Sequence, residues 1–220
     1  MPTRHHFQEA MQDIHNEILR MGTMVEEALE NALKAFSEKE VVRAEHVIAE
    51  DQNINEMQLL IEDRCTMIMA TEQPVAGDLR KLITAIKIAS SLERMGDHAV
   101  HLSQTTVRLQ GNPQMDPLRK MIVPMAVVGV EMVKGMLTAL ADHDVEKARQ
   151  VAERDELLDD THMKLFETLV NYQKENPQHA LQTTDLLFLI RFLERLGDHV
   201  THICQWILLR ETGIHTELNK

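Results

Sequence analysis

The chain has 220 residues, enough for one large domain or two small ones and for a sizeable buried core. Its formal net charge of −12 argues against nucleic acid as a direct partner, because phosphate backbones are bound by basic surfaces. With 3% aromatic residues, 14 methionines, 8 glycines and 6 prolines, the composition favours helices.

The sequence predicts neither a membrane-spanning segment nor an export signal. No run approaches 18 uninterrupted apolar residues, and residues 1–6 do not open an apolar signal-peptide run. Cys65 and Cys204 lie far apart without metal-binding or redox spacing, which is typical of reduced core thiols. We therefore expect a soluble, cytoplasmic protein without direct membrane insertion.

Six helices are predicted in chain order, from apolar residues at helical spacing and from breaks that contain Pro, Gly or Asn. They cover roughly residues 5–37, 38–69, 78–109, 116–140, 144–174 and 177–209. We expect an all-α protein of two tandem three-helix units without a sheet. The corresponding domains are residues 1–112 and 113–220.

An eleven-residue stretch occurs twice, beginning at Leu92 and at Leu193, with seven identical positions and an offset of 101 residues. Both copies read Leu-Glu-Arg-x-Gly-Asp-His-x-x-His-x. A repeat at about half the chain length indicates one supersecondary unit that was built twice. Each copy carries a Glu and an Asp four residues apart, which lie one turn apart on one helix face.

The glutamate of each copy falls on the apolar stripe of its helix. The stripe that includes Ile86 reaches Glu93, and the stripe that includes Ile190 reaches Glu194. Burying a carboxylate without a partner is costly, so we expect each glutamate to be paired with a cation or bound to a metal.

Hairpin geometry supplies partners for these carboxylates. If the second and third helices of each unit run antiparallel about Pro74 and Pro177, residues equally far from the turn lie at the same height. His101 and His202 follow the aspartates by four residues on the same face and are further candidates. The candidate oxygen ligands are Asp51, Asn55, Glu93 and Asp97 in the first unit and Asp155, Asp159, Glu194 and Asp198 in the second.

The two ligand sets suggest metal sites, because three or four oxygen ligands at one level suit a hard or borderline cation. An imidazole ligand would favour iron, manganese or zinc over calcium or magnesium. The alternative is that Arg94 and Arg195 neutralise the acids in ordinary ion pairs. Two copies at stripe positions, each facing a second polar pair, favour the metal.

Gly96 and Gly197 lie inside predicted helices, where glycine costs about 1 kcal/mol relative to alanine. We expect both to permit the close approach of a neighbouring helix beside the carboxylates.

The Glu-Arg-x-Gly-Asp motifs at 93–97 and 194–198 are accompanied by Pro74-Val75-Ala76-Gly77-Asp78-Leu79-Arg80, by Met21-Gly22 and by Asp51-x-x-Ile54-Asn55. In this combination the chain resembles, over essentially its whole length, the PhoU family of bacterial phosphate-signalling and phosphate-transport accessory proteins.

The resemblance implies two three-helix bundles related by a pseudo-twofold, commonly dimeric, with a multinuclear site for iron, zinc or another metal on each bundle. It implies that Glu93, Asp97, Glu194 and Asp198 are metal ligands, whereas the histidines are not part of the family pattern. It also implies two partners, the ATPase of the phosphate-specific ABC transporter and the phosphate sensor histidine kinase. Both uptake and signalling would be restrained when phosphate is plentiful.

The sequence favours a regulator over an enzyme, because it offers neither a nucleophile–base pair nor a phosphate-cradling glycine loop. The enzyme alternative is a di-iron carboxylate oxidase. Such bundles use Glu-x-x-His motifs, and no Glu in this chain has His three residues later. The third hypothesis is a metal-free helical adaptor whose acids are merely ion-paired.

Overall fold

A computed structural model of the chain describes residues 2–214 and 216–218, so the outer ends of the two predicted domains, at Met1 and Lys220, lie outside it. No strand occurs among the described residues, and the all-α prediction is confirmed. Short 3-10 turns precede the fourth and seventh helices, at Pro113–Met115 and Pro177–His179. The helices are α1 (Pro2–Glu38), α2 (Val41–Glu72), α3 (Gly77–Arg108), α4 (Asp116–Asp142), α5 (Val145–Ala152), α6 (Asp155–Glu175) and α7 (Ala180–Thr212).

The helices form two tandem three-helix bundles, as predicted. The first contains α1, α2 and α3, and the second contains α4, the pair α5 and α6, and α7. The bundles join through two like contacts, α1 against α4 and α3 against α7. Each contact therefore pairs equivalent helices of the two repeats, which is the arrangement that a pseudo-twofold produces.

The middle element of the second bundle is broken, so the prediction of one helix over residues 144–174 is wrong. The amide of Arg154 bonds to the carbonyl of Val151, three residues back, at 3.1 Å. Neither Gly nor Pro lies at the break, so the sequence carries no signal for it. The break makes Asp155 the first residue of α6, where the free N–H groups of a helix favour a carboxylate.

One hydrophobic core runs through both bundles. Met21 on α1, Leu92 on α3, Met136 on α4 and Leu196 on α7 are all fully buried members of the same cluster. The two cysteines are also buried and free, as expected of core thiols. Because the bundles share this core, the two repeats stabilise each other.

One helical stretch of the described chain, Pro113–Asp142, is long and apolar enough to cross a membrane by length and composition alone, with a mean hydropathy of 1.6 in its most apolar window. This stretch contains α4, whose buried residues, among them Ile122 and Val133, belong to the shared core. Packing in the core therefore accounts for part of its apolar character, since 44% of this window is buried.

Candidate metal centres

The first predicted ligand set lies where α2 packs against α3. We call Asp51, Asn55, Glu93, Asp97 and His101 the first cluster. A β-carbon added to Gly96 would stand 3.6 Å from Asp51 Oδ1, so this carboxylate lies directly against the motif helix. Burial raises the pKa of Asp51, and the charges of Asp97 and His101 also act on it, so these three side chains lie near one another.

In the first cluster, Arg94 forms ion pairs with both carboxylates of the motif. Arg94 Nη1 lies 3.1 Å from Asp97 Oδ2, and Arg94 Nε lies 3.4 Å from Glu93 Oε2. The arginine side chain is 58% exposed whereas that of Glu93 is 16% exposed. An ion pair with so exposed a cation contributes little free energy, so Arg94 compensates the buried glutamate only in part.

Burial and repulsion between like charges disfavour ionisation of Glu93 and Asp51 in the first cluster. Burial raises the pKa of Glu93, and the neighbouring charge of Asp97 raises it further. Burial also raises the pKa of Asp51, although the Asn55 amide, which donates to Asp51 Oδ2 at 3.0 Å, lowers it in part. The positive charge of a bound cation would offset the burial and the repulsion, and would lower the pKa of both Glu93 and Asp51.

Two buried acceptor oxygens in the first cluster also favour a bound cation. Asp51 Oδ1 and Asn55 Oδ1 are buried and accept no hydrogen bond from any described residue. Leaving such oxygens without a partner costs about 1–3 kcal/mol each. Both are hard oxygen donors, so the residues present fit a hard or borderline cation.

The second predicted ligand set, called the second cluster, is Asp155, Asp159, Glu194, Asp198 and His202, and its carboxylates lie where α6 meets α7. Asp155 is 1% exposed, and Thr201 donates to its Oδ2 over 3.3 Å. Burial, followed by the charges of Asp159 and Asp198, raises the pKa of Asp155 to about 7. The pKa values of Asp159 and Glu194 are raised by burial and then by Asp198. The acids predicted for this cluster therefore interact with one another.

Glu194 pairs with Arg191 rather than with Arg195, the cation that the sequence predicts. Because Arg191 and Glu194 are three residues apart on one helix, the i,i+3 rule could have identified the pair. The glutamate side chain is only 13% exposed, and its Oε2 is buried without a hydrogen-bond partner in the described part of the chain.

The two motif glycines permit close helix contact, as predicted. A β-carbon on Gly197 would collide with Asp155 Oδ1 and stand 2.7 Å from Leu158 Cδ1. The same atom on Gly96 would stand 3.2 Å from Ile54 Cδ1. Each glycine therefore lets the preceding helix, α2 or α6, approach the helix that carries the motif, α3 or α7, beside the candidate ligands.

The histidines of the two motifs differ in their surroundings. His101 is half-buried, which lowers its pKa, and the charges of Asp97 and Asp51 partly oppose this effect. Its ring stacks on Phe192 with ring centroids 3.9 Å apart. His202 is exposed and its ring meets that of His199 edge-on, with centroids 6.2 Å apart. The structure thus brings His101 to the first cluster, but shows no contact of His202 with a carboxylate in the described chain.

His98 and His199 face each other where α3 crosses α7, with ring centroids 5.6 Å apart. Burial lowers the pKa of His98 to about 3 and that of His199 to about 4, so both rings are neutral near pH 7. These residues belong to the contact between the bundles rather than to either carboxylate cluster.

Among the described residues, no three His, Cys, Asp or Glu side chains stand close enough together to form a ready-made metal cage. Arg94 and Arg191 hold carboxylate oxygens of the two clusters in ion pairs. Like charges also repel one another where no cation lies between them. To bind a metal, the carboxylate side chains of each cluster would therefore have to change rotamer and break their ion pairs with Arg94 and Arg191.

The family model of the PhoU domain matches the chain twice, at residues 18–106 and 122–207. The chain belongs to the PhoU family. Each match contains one Glu-Arg-x-Gly-Asp motif, so the two PhoU domains correspond to the two helical bundles.

Curated PhoU proteins are similar over nearly the whole chain. A phosphate-specific transport system accessory protein PhoU homolog from Clostridium acetobutylicum is 35% identical over 218 residues, covering 99% of both chains. The homolog from Streptococcus pneumoniae serotype 4 is 31% identical, covering 98% of this chain and 100% of its own. The PhoU of Escherichia coli K12 is 29% identical, covering 94% and 86%.

Solved PhoU structures share the fold. The crystal structure of PhoU from Pseudomonas aeruginosa superposes with a TM-score of 0.90 at 28% identity, covering 94% of this chain and 100% of that one. The phosphate transport system regulatory protein PhoU from S. pneumoniae gives 0.85 at 29% identity, covering 96% and 99%.

Proposed function

We propose that this protein is a cytoplasmic, non-enzymatic regulator of phosphate homeostasis. In this proposal it acts as a homodimer and restrains the phosphate-specific ABC transporter, through its ATPase, and the phosphate sensor histidine kinase when phosphate is plentiful. Its two carboxylate clusters bind metal ions, with iron, zinc or manganese as the candidates.

The observation that carries the regulatory part is similarity over the full length of the chain. The C. acetobutylicum relative is named a phosphate-specific transport system accessory protein and aligns over 99% of both chains. The S. pneumoniae protein of the same fold is named a phosphate transport system regulatory protein. Because both bundles align, the proposal transfers the role of the whole protein rather than of one domain.

Three physical features support metal binding. The acids of each cluster repel one another and are partly buried, which raises the pKa of Asp51, Glu93 and Glu194. Buried acceptor oxygens in both clusters, for example Asn55 Oδ1 and Glu194 Oε2, have no hydrogen-bond partner among the described residues. The glycine beside each cluster lets two acidic helices approach at one level. A cation would satisfy the oxygens and cancel the repulsion together.

The metal-free adaptor hypothesis draws support from the ion pairs of Arg94 and Arg191. Both arginine side chains are more than half exposed, at 58% and 55%. Surface pairs of this kind are worth about 0–1 kcal/mol, less than the cost of the unsatisfied oxygens. The balance favours metal. No contact among the residues that the structure describes favours the oxidase alternative.

Gene deletion and restoration test the regulatory role. A strain that lacks the protein should express a phosphate-starvation reporter in phosphate-rich medium, and the wild-type gene should restore repression. Expression in phosphate-poor medium, which should be high in every strain, is the control. Normal repression in the deletion strain would contradict the proposal.

A further inference from the structure

A cavity of about 270 Å³ lies between α1, α3 and the end of α7, away from both carboxylate clusters. We propose that it binds a small oxyanion of the phosphate type, either free or as the monoester of a small organic molecule. This inference does not rest on the proposed regulatory function.

The polar lining of this cavity is made of cationic and neutral groups. Lys81 and Arg210 supply two permanent positive charges, and Gln8 and Gln12 supply amide donors. No carboxylate lies among the described residues that line it. In a chain whose net charge is −12, a cavity with cations and no acid is a marked local departure. Such a lining attracts anions.

The cations retain donors for a ligand. Lys81 Nζ is 3.7 Å from Asp78 Oδ1, and both side chains are nearly half exposed, so this pair is weak. Arg210 contacts Glu211 through Nε at 3.4 Å, while its Nη1 lies 3.4 Å from His15 Nδ1. The guanidinium cannot accept a hydrogen bond, so His15 Nδ1 accepts and helps to orient the arginine toward the cavity wall that both residues form.

The side chain of Thr84 gives a second, independent reason to expect a ligand in the cavity. It lines the cavity and is 1% exposed, yet its hydroxyl has no hydrogen-bond partner in the described chain. Thr105 and Thr106 on the same helix donate to the carbonyl four residues back, which is the usual solution for a helical threonine. A buried hydroxyl without a partner costs free energy, and an oxyanion could accept its hydrogen bond.

The size and walls of the cavity bear on the form of the ligand. Its volume equals that of roughly nine water molecules in the bulk liquid. Met11, Ile18 and Ile88 form part of the wall and offer apolar contact. Inorganic phosphate would leave part of this space filled by water, whereas a small phosphate monoester would fill more of it. Both forms share the doubly charged tetrahedral group that lysine and arginine bind.

Isothermal titration of the purified full-length protein tests the proposal, with inorganic phosphate in one series and glycerol phosphate in another. We expect saturable binding of at least one ligand at one site per chain. Tighter binding of the ester would identify the organic form, and tighter binding of phosphate the free ion. Because phosphate also binds metal ions, each titration is repeated with EDTA, and the binding should survive chelation.

Three variants locate the site. Lys81→Gln should weaken binding about tenfold, the effect of losing one charge-assisted hydrogen bond. Lys87→Gln, at an exposed position on the same helix, should leave binding unchanged. Thr84→Val keeps the shape of the side chain and should weaken binding several-fold without lowering the stability of the ligand-free protein. Absence of saturable binding, loss of binding with EDTA, or equal effects of Lys81→Gln and Lys87→Gln would each overturn the proposal.

Discussion

At Gly197, α7 approaches α6 too closely for any side chain. An added methyl group would collide with Asp155 and Leu158. We therefore expect Gly197→Ala to lower the free energy of unfolding by roughly 1–3 kcal/mol, despite the higher helix propensity of alanine. Urea denaturation measures the change.

Gly77→Ala is the matched control for this substitution. Gly77 begins α3, and a β-carbon there would meet nothing within 4 Å. This variant should be as stable as the wild type or slightly more stable. Equal stability of the Gly197→Ala and Gly77→Ala proteins would contradict the close approach of the two helices.

His15 makes stability depend on pH. Burial, followed by the charges of Arg210 and His143, lowers the pKa of His15 from 6.5 to about 4. Between these values the unfolded chain binds more protons than the folded chain, so stability falls as the pH drops from 6.5 to 4. In a buffer without phosphate, the wild type should lose up to about 3 kcal/mol more than His15→Gln over this range.

The exposed His46 on α2 provides the control for the pH experiment. His46→Gln should keep the pH dependence of the wild type in urea denaturation from pH 7 to pH 4. If His15→Gln also keeps it, the buried environment assigned to His15 is incorrect.

Residue spacing predicted part of the candidate site. The four-residue step from Glu93 to Asp97 and the distance of Asp51 from the turn placed these acids together, because both follow from fixed helix geometry. Spacing allows both Arg191 and Arg195 as partners of Glu194 but does not select between them, since side-chain rotamers decide which cation makes the pair. The exposure of His202 also escaped prediction, because helical spacing fixes the face on which a residue lies but not which neighbouring helix covers that face.

At the scale of helices, Arg119 ties α4 of one bundle to α1 of the other. It is 3% exposed, its Nη1 donates to the carbonyl of Phe36 at 2.8 Å, and its guanidinium lies 5.0 Å from the Phe36 ring centroid. Phe36 is in the last turn of α1, where carbonyls lack partners within the helix. Arg119 therefore caps this helix from the neighbouring bundle.

Arg119→Met should lower the free energy of unfolding by about 1–3 kcal/mol, because it leaves the buried Phe36 carbonyl without a donor. Lys120→Met, which changes an exposed neighbour, should alter it by less than about 0.5 kcal/mol. Thermal or urea unfolding of both variants measures the difference. Equal losses would show that the tie between the bundles contributes nothing.

Five of the six predicted helices correspond to single helices of the structure, because long amphipathic stripes and Pro- or Gly-containing breaks mark them clearly. The break between α5 and α6 had no such mark. Residues 151–155 read Val-Ala-Glu-Arg-Asp, which contains good helix formers, and the turn forms only in the folded bundle. Its counterpart in the first bundle, around Asp51, is continuous helix.

At the scale of the whole molecule, the internal repeat predicted two like bundles but not how they would meet. The contacts of α1 with α4 and of α3 with α7 bury one shared core. Repetition also does not make the two clusters identical. Asp155 is fully buried while its counterpart Asp51 is half-buried, and Asp198 is exposed while Asp97 is half-buried. The two proposed metal sites should therefore differ in affinity.

In the function proposed above, each bundle holds its own carboxylate metal site. Metal content per chain, measured by mass spectrometry on protein purified without a histidine tag, tests it most directly. The wild type is compared with Glu93→Ala/Asp97→Ala, with Glu194→Ala/Asp198→Ala, and with Asp160→Asn, which alters an exposed acid on α6. Circular dichroism verifies that each variant remains helical.

We predict bound iron, manganese or zinc in the wild type, about half as much in either double variant, and an unchanged amount in Asp160→Asn. A folded wild-type protein free of metal after exposure to all three ions, or double variants with undiminished metal content, would contradict a carboxylate metal site on each bundle.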